Sequence, residues 1–237
     1  MECLQAKLNF VVVLRSKGKL EAALGHGEEA RDFFKKAISG VAPPASLFGN
    51  YIRWELRHKN IPAASEASLK AIGLYKNNPE IAVLRAKSLI LGPEYSIADV
   101  AQLLVEVQRA TTGYHQMEAY FWYGIAKWEN SEFSEAMDQF HHCREIALSL
   151  ARGDVKYIRY ISGMNKDSPK LYNGSVVETG PRNAWIICNP SGIKVFINRK
   201  GLINLSSNIT IKIGFNRLGP VAISDDESEE FTYDNVV

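Results

Sequence analysis

Three adjacent residues, His141, His142 and Cys143, are of the types that ligate transition metals, and five histidines in all could act as general bases. On a helix, consecutive side chains point about 100° apart, so the three cannot close on one ion. Cys143 also falls on an apolar helical stripe described below. All five histidines (His26, His58, His115, His141, His142) precede residue 151, which leaves the last third of the chain without a base. No P-loop or dinucleotide-binding glycine pattern occurs. The expectation is a non-catalytic protein with no cofactor and no metal. Cys3, Cys143 and Cys188 are odd in number and far apart, which excludes a disulfide framework and suits a reducing compartment. The apolar run near the start, Phe10 to Leu14, is too short for a signal-peptide core or a membrane span. A cytoplasmic protein with no membrane partner is expected.

A second chemistry is better supported: the binding of polyanions. The formal charge of +2 hides two opposed regions. Residues 151–222 carry a net +8, from eleven basic and three acidic residues, and the last fifteen residues carry −6. Residues 1–150 balance at 17 against 17. Within the basic region Trp185 and Phe196 are each flanked by cations, Arg182 on one side and Lys194, Arg199 and Lys200 on the other. Bases stack on exposed rings while cations track phosphates. Alternation along Ala184-Trp185-Ile186-Ile187 and Val195-Phe196-Ile197 sets each ring on the face opposite its apolar neighbours, which favours an outward position over a place in the core.

These residues need elements to hold them. Up to about residue 150, apolar residues recur at helical spacing between short breaks holding Gly, Pro or Asn. The predicted helix pairs are 2–24 with 28–38, 45–58 with 62–75, 80–91 with 97–110, and 117–129 with 132–150. Small residues at Ala30, Ala67, Ala101 and Ala136 start a stripe continued four residues on by Phe34, Ala71, Val105 and Phe140. Seven residues on come Ala37, Leu74, Gln108 and Cys143. In the last unit Tyr120, Tyr123 and Gly124 precede Ala136 and Phe140, with Asn130 and Ser131 between them. The period near 34 and this pattern resemble the tetratricopeptide repeat family, whose antiparallel helix pairs stack into a superhelix. That resemblance implies a concave groove holding a protein or peptide, and nominates Asn50, Arg53, Arg57, Arg85, Lys87, Tyr120 and Lys127 to line it. A short helix over Asp154–Ile161 is expected to close the stack. The uncovered first helix leaves open whether the chain is a carboxy-terminal piece of something longer.

After Gly163, turn residues punctuate five short β-branched runs, 175–178, 184–188, 193–197, 209–213 and 221–224, the pattern of a small barrel. The order Gly174-Ser175-Val176, Ala184-Trp185-Ile186, Val195-Phe196-Ile197-Asn198 and Asn216-Arg217-Leu218-Gly219-Pro220-Val221-Ala222 resembles the cold-shock family of oligonucleotide-binding barrels. The first ribonucleoprotein-type strand keeps one ring where that family has two, and Asn198 stands where it has a histidine.

The fold class expected is α+β and multidomain: a tetratricopeptide-like helical domain over 1–162, a linker over 163–170, a five-stranded antiparallel barrel over 171–224 and an acidic tail over 225–237. The function expected is that of an adaptor. Its repeats would dock a protein, and its barrel would bind single-stranded nucleic acid, RNA in preference to DNA. Trp185 and Phe196 would stack, with Arg182, Lys194, Asn198, Arg199, Lys200 and Arg217 beside them. Two other readings stay open: a pure protein-interaction scaffold, and the regulatory carboxy-terminal part of a larger enzyme.

Overall fold

A computed structural model describes residues 2–40, 43–150, 157–163, 168–180, 183–198 and 208–223. Among these there are eight α-helices: α1 (Glu2–Ala23), α2 (Gly27–Ile38), α3 (Ala45–Arg57), α4 (Ile61–Leu74), α5 (Pro79–Ile90), α6 (Ile97–Ala110), α7 (Tyr114–Glu129) and α8 (Phe133–Ser149). Six strands follow: β1 (Tyr160–Ile161), β2 (Leu171–Thr179), β3 (Asn183–Asn189), β4 (Ile193–Asn198), β5 (Asn208–Asn216) and β6 (Gly219–Ile223). The chain divides into two compact units, Met1–Ser88 and Leu89–Val237, with the boundary inside α5.

In the first unit the helices start where the chemistry of the chain dictates. The Asn60 carboxamide accepts from Ala63 N–H at the head of α4, with Pro62 in the first turn where its missing N–H costs nothing. The Asn78 side chain accepts from Ile81 N–H at the start of α5. The core holds Phe34 and Ala37 of α2, Leu47, Phe48, Tyr51 and Ile52 of α3, and Ala67 and Ala71 of α4. Leu74, which the repeat stripe placed inward, is exposed.

The second unit holds α6–α8 and the sheet. Here the stripe on α6 is Val100, Leu104 and Val107, one residue earlier than the Ala101, Val105 and Gln108 expected, because the more apolar residue of each adjacent pair takes the inward face. On α8 the expected Ala136, Phe140 and Cys143 are all buried. Gly124 of α7 is required by close approach: a Cβ there would lie 2.8 Å from a Phe140 ring carbon.

The five strands β2 to β6 close into a barrel in the order β2-β3-β4-β6-β5 and back to β2. The barrel is mixed rather than wholly antiparallel. β4 and β6 run parallel, pairing Phe196 with Val221 and Ile197 with Ala222. The chain passes through β5 before reaching β4's open edge, so β6 arrives from the side that makes it parallel. Inward residues alternate as Ala184, Ile186 and Cys188 on β3 and Val195 and Ile197 on β4. Gly174 makes room for Ile186, whose Cγ2 would be 2.4 Å from an added Cβ.

The helix expected over Asp154–Ile161 is not found in its described part. Residues 157–159 are irregular, and Tyr160–Ile161 pair as β1 with Phe215 and Gly214 of β5. The β-branched and aromatic residues there favour a strand once an open partner edge is at hand. Residues 154–156 and the acidic tail from 225 lie outside the described residues.

The α7–α8 pair seals one end of the barrel. Phe215 stacks on Phe140 at 5.4 Å between ring centres and meets Trp128 edge-on at 5.4 Å. Trp128 Nε1–H donates to the Tyr172 hydroxyl at 3.1 Å, and that hydroxyl is 2.6 Å from Ser162 Oγ. Gly163 N–H donates to Glu129 at 3.1 Å. Burying each such ring contributes about 1.5–3 kcal/mol.

Candidate nucleic-acid interface and helical groove

Trp185 and Phe196 are direct cross-strand partners on β3 and β4. Both side chains are half-buried and point away from the barrel interior, opposite Ala184, Ile186, Val195 and Ile197. Their ring centres are 5.5 Å apart at 75°, an edge-to-face pair. Faces at near right angles do not continue one column, so each ring can take one base at most.

Lys194 Nζ stands 5.0 Å over the Trp185 ring. It also pairs with Glu178 at 2.8 Å, both side chains being exposed. Glu178 reaches this place because a register shift in β2 between Val176 and Glu178 sets it opposite Trp185. Nothing in the sequence pattern announced that acid beside the rings. Val221, across from Phe196, and Ile187, across from Lys194, complete the outer surface.

Arg217, expected to meet phosphate, is instead fully buried. Its Nη2 and Nε donate to Glu118 Oε1 of α7 at 2.7 and 3.2 Å, and its guanidinium lies 5.6 Å from the Tyr114 ring centre. Arg217 occupies the tight turn between β5 and β6, which packs onto α7, so its side chain meets that carboxylate rather than solvent. Glu118 was also missed, since a partner 99 positions away leaves no local signal. Arg159 is buried too, so the +8 counted along the chain overstates the cationic surface. Arg182, Arg199 and Lys200 lie outside the described residues, and Asn198 is placed only as the last residue of β4.

Of the expected groove residues, Asn50, Arg53 and Arg57 come together along one face of α3. They line a cavity of about 440 Å³ with Lys19, Ala22 and Ala23 of α1 and Phe34 of α2. Arg53 is held by Glu80 at 2.5 Å. Arg57 is exposed and Asn50 half-buried. Arg85 donates to the Ser65 carbonyl and hydroxyl at 3.0 and 2.9 Å, which ties α5 to α4. Lys87 is buried at 4% exposure and is thereby removed from any open groove, a correction to its expected place. In the second unit Tyr120 packs against His142 at 5.1 Å, and Lys127 pairs with Glu132 across the α7–α8 turn. The hydrogen bond from Lys127, with a second from Asn130, holds the Glu132 carboxyl below its usual range.

Two of the three thiols, Cys143 and Cys188, are buried and free. Burial pushes Cys143 up to about 12 and raises Cys188 as well. Among the described residues no group of three metal-ligating side chains converges, and no helix is long and apolar enough to cross a membrane. In comparisons with known proteins, no family model and no curated protein matches the chain.

Proposed function

We propose that the protein is a non-catalytic adaptor whose barrel binds single-stranded nucleic acid, RNA in preference to DNA, while its helices dock a protein or peptide. The observation that carries the nucleic-acid half is the outward, half-exposed pair Trp185–Phe196 with Lys194 beside it. Aromatic faces beside a cation bind bases with little sequence preference, at about 1–3 kcal/mol per stacked base. The strand order, with β4 and β6 parallel, supports an oligonucleotide-binding type of barrel, and the helix pairs support a tetratricopeptide-like stack. Val221, opposite Phe196, is in turn opposite Gly214, the neighbour of the Phe215 that packs on α7 and α8, and both rings of the pair are still half-exposed.

The test is a filter-binding titration with short RNA and DNA homopolymers at two salt concentrations. Binding should be modest and should weaken with salt. Changing Trp185 and Phe196 together to Ala should lower affinity at least about tenfold, on the stacking scale above. A double variant that binds as well as the parent overturns this site. The scaffold reading is favoured by two observations, the buried Arg217 and the Glu178 carboxylate beside the rings. Absence of binding to any homopolymer at low salt would select it.

A further inference from the structure

We propose that Glu178 and Lys194, held together at the rim of the Trp185–Phe196 pair, make the ring site of the barrel selective for guanine. The inference rests on the nucleic-acid reading of that pair and goes beyond it, since stacking alone chooses little between bases.

The sheet fixes the arrangement. Trp185 pairs with Phe196 of β4 on one side and with Glu178 of β2 on the other, so the acid and the two rings form one cross-strand row. Side chains placed in this way have Cβ atoms about 4.5–5.5 Å apart. The register shift between Val176 and Glu178 creates that row, and irregularities of this kind re-aim a side chain. Lys194 precedes Phe196 on the same face of β4; it donates to Glu178 Oε2 at 2.8 Å, with its Nζ 5.0 Å over the indole. One cation thus ties the carboxylate to the edge of the stacking platform.

Both partners keep capacity for a ligand. Glu178 Oε1 has no hydrogen-bond partner among the described residues, and the Lys194 ammonium has N–H groups beyond the one given to Oε2. The two side chains are 62% and 48% exposed, so a base reaches them without opening the barrel. An exposed ion pair is held weakly, and the flexible Lys194 stem lets the ammonium swing off the indole face to the rim when a base takes that face.

What stands at the rim is an acceptor beside a donor, because a carboxylate only accepts and an ammonium only donates. Unpaired bases are read on their Watson–Crick edges, and that of guanine is the complement. Its N1–H and N2 amine meet the two carboxylate oxygens, and its O6 lies alongside for the ammonium. Charge-assisted, bidentate contacts are the strong ones. Cytosine and adenine carry a single amine on this edge and satisfy one carboxylate oxygen. Uracil and thymine match worst: their one N–H lies between two carbonyls, and one of these is set against the carboxylate. The acid also weakens the pull on phosphate, so the site gives up some general affinity and gains a preference among bases.

The test uses the full chain and three labelled RNA heptamers, all uridine or with guanosine or inosine at the centre, followed by fluorescence anisotropy at low salt. The guanosine heptamer should bind about tenfold more tightly than the uridine one, the scale of one bidentate base contact. Inosine, which lacks the N2 amine, should fall between them. Glu178→Gln, at an exposed position, replaces one acceptor with a donor. The guanosine and uridine heptamers should then bind within about twofold of each other, with heptauridylate held at least as tightly as by the parent. Equal binding of these two heptamers by the parent overturns the proposal, as does a guanosine preference that survives Glu178→Gln. In either case, loss of heptauridylate binding on changing Trp185 and Phe196 together to Ala still upholds the ring site. If the parent binds none of the three heptamers, the ring site itself fails, and this inference with it.

Discussion

Glu118 and Arg217 form an ion pair that is almost wholly excluded from water, with Trp122 Nε1–H on the second carboxylate oxygen at 3.4 Å. Removing one member strands the other charge in a low-dielectric site, which costs about 3–5 kcal/mol. Glu118→Ala should therefore lower the denaturation midpoint far more than Glu178→Ala, whose exposed pair with Lys194 is worth about 0–1 kcal/mol. Urea unfolding of the two variants makes the comparison. Glu178→Gln should do something else: it frees Lys194, tightens oligonucleotide binding at low salt and steepens its salt dependence by about 0.7 in log–log slope. An unchanged slope would place Lys194 off the phosphate path. The two cysteines give a third expectation at this scale. With their pKa raised by burial, Cys143 and Cys188 should resist iodoacetamide at pH 8 in the folded protein and react only after unfolding, as peptide mass spectrometry would show.

At the level of elements, the helical half was almost wholly readable. Periodicity located all eight helices, most ends to within one residue, although α7 begins at Tyr114 rather than Met117. The α6 stripe lies one position from the repeat spacing because apolarity, not the period, decides which face turns inward, as Val107 against Gln108 shows. Strand positions were legible from β-branched runs and turn residues, while β1 was not, since two residues carry no periodicity and take their form from β5. The direction of β6 was equally hidden, because pairing partners are a property of the closed sheet. Of the site, the outward placement of Trp185 and Phe196 could be read from alternation. The burial of Arg217 and the arrival of Glu178 could not, because both depend on distant partners. Gly124 tests the packing of α7 on α8. Gly124→Ala pushes a methyl group against the Phe140 ring and should destabilise by about 1–3 kcal/mol. A lower melting temperature with unchanged helicity below it is the expected result.

On the scale of the second unit, the barrel is not a module hung on a tether. Trp128, Phe140 and Glu118 cover Phe215, Tyr172 and Arg217, so a fragment beginning at Ser168 would expose those rings and a naked guanidinium. Such a fragment should aggregate or bind a hydrophobic dye under conditions where the whole chain remains folded. Phe215→Ala in the full chain should cost about 3–5 kcal/mol for the same reason. Lys127 and Glu132 add a pH dependence to this unit. The Glu132 carboxyl is depressed in the folded state, so its contribution is present above the ordinary carboxylate range and is lost as the pH falls through the lowered value. Glu132→Gln should flatten the acid limb of a stability profile.

The parallel meeting of β4 and β6 also sets a timetable for synthesis. A nascent chain that has grown through Asn216 owns β2 to β5 but still presents raw edges on β4 and β5, which only Gly219–Ile223 can stitch together. Until those five residues emerge, the half-made cylinder is open to the edges of its neighbours on the same polysome. A stop codon just before Gly219 should accordingly yield inclusion bodies, although the aromatic ledge, the helices and nearly all of the core would already have been made.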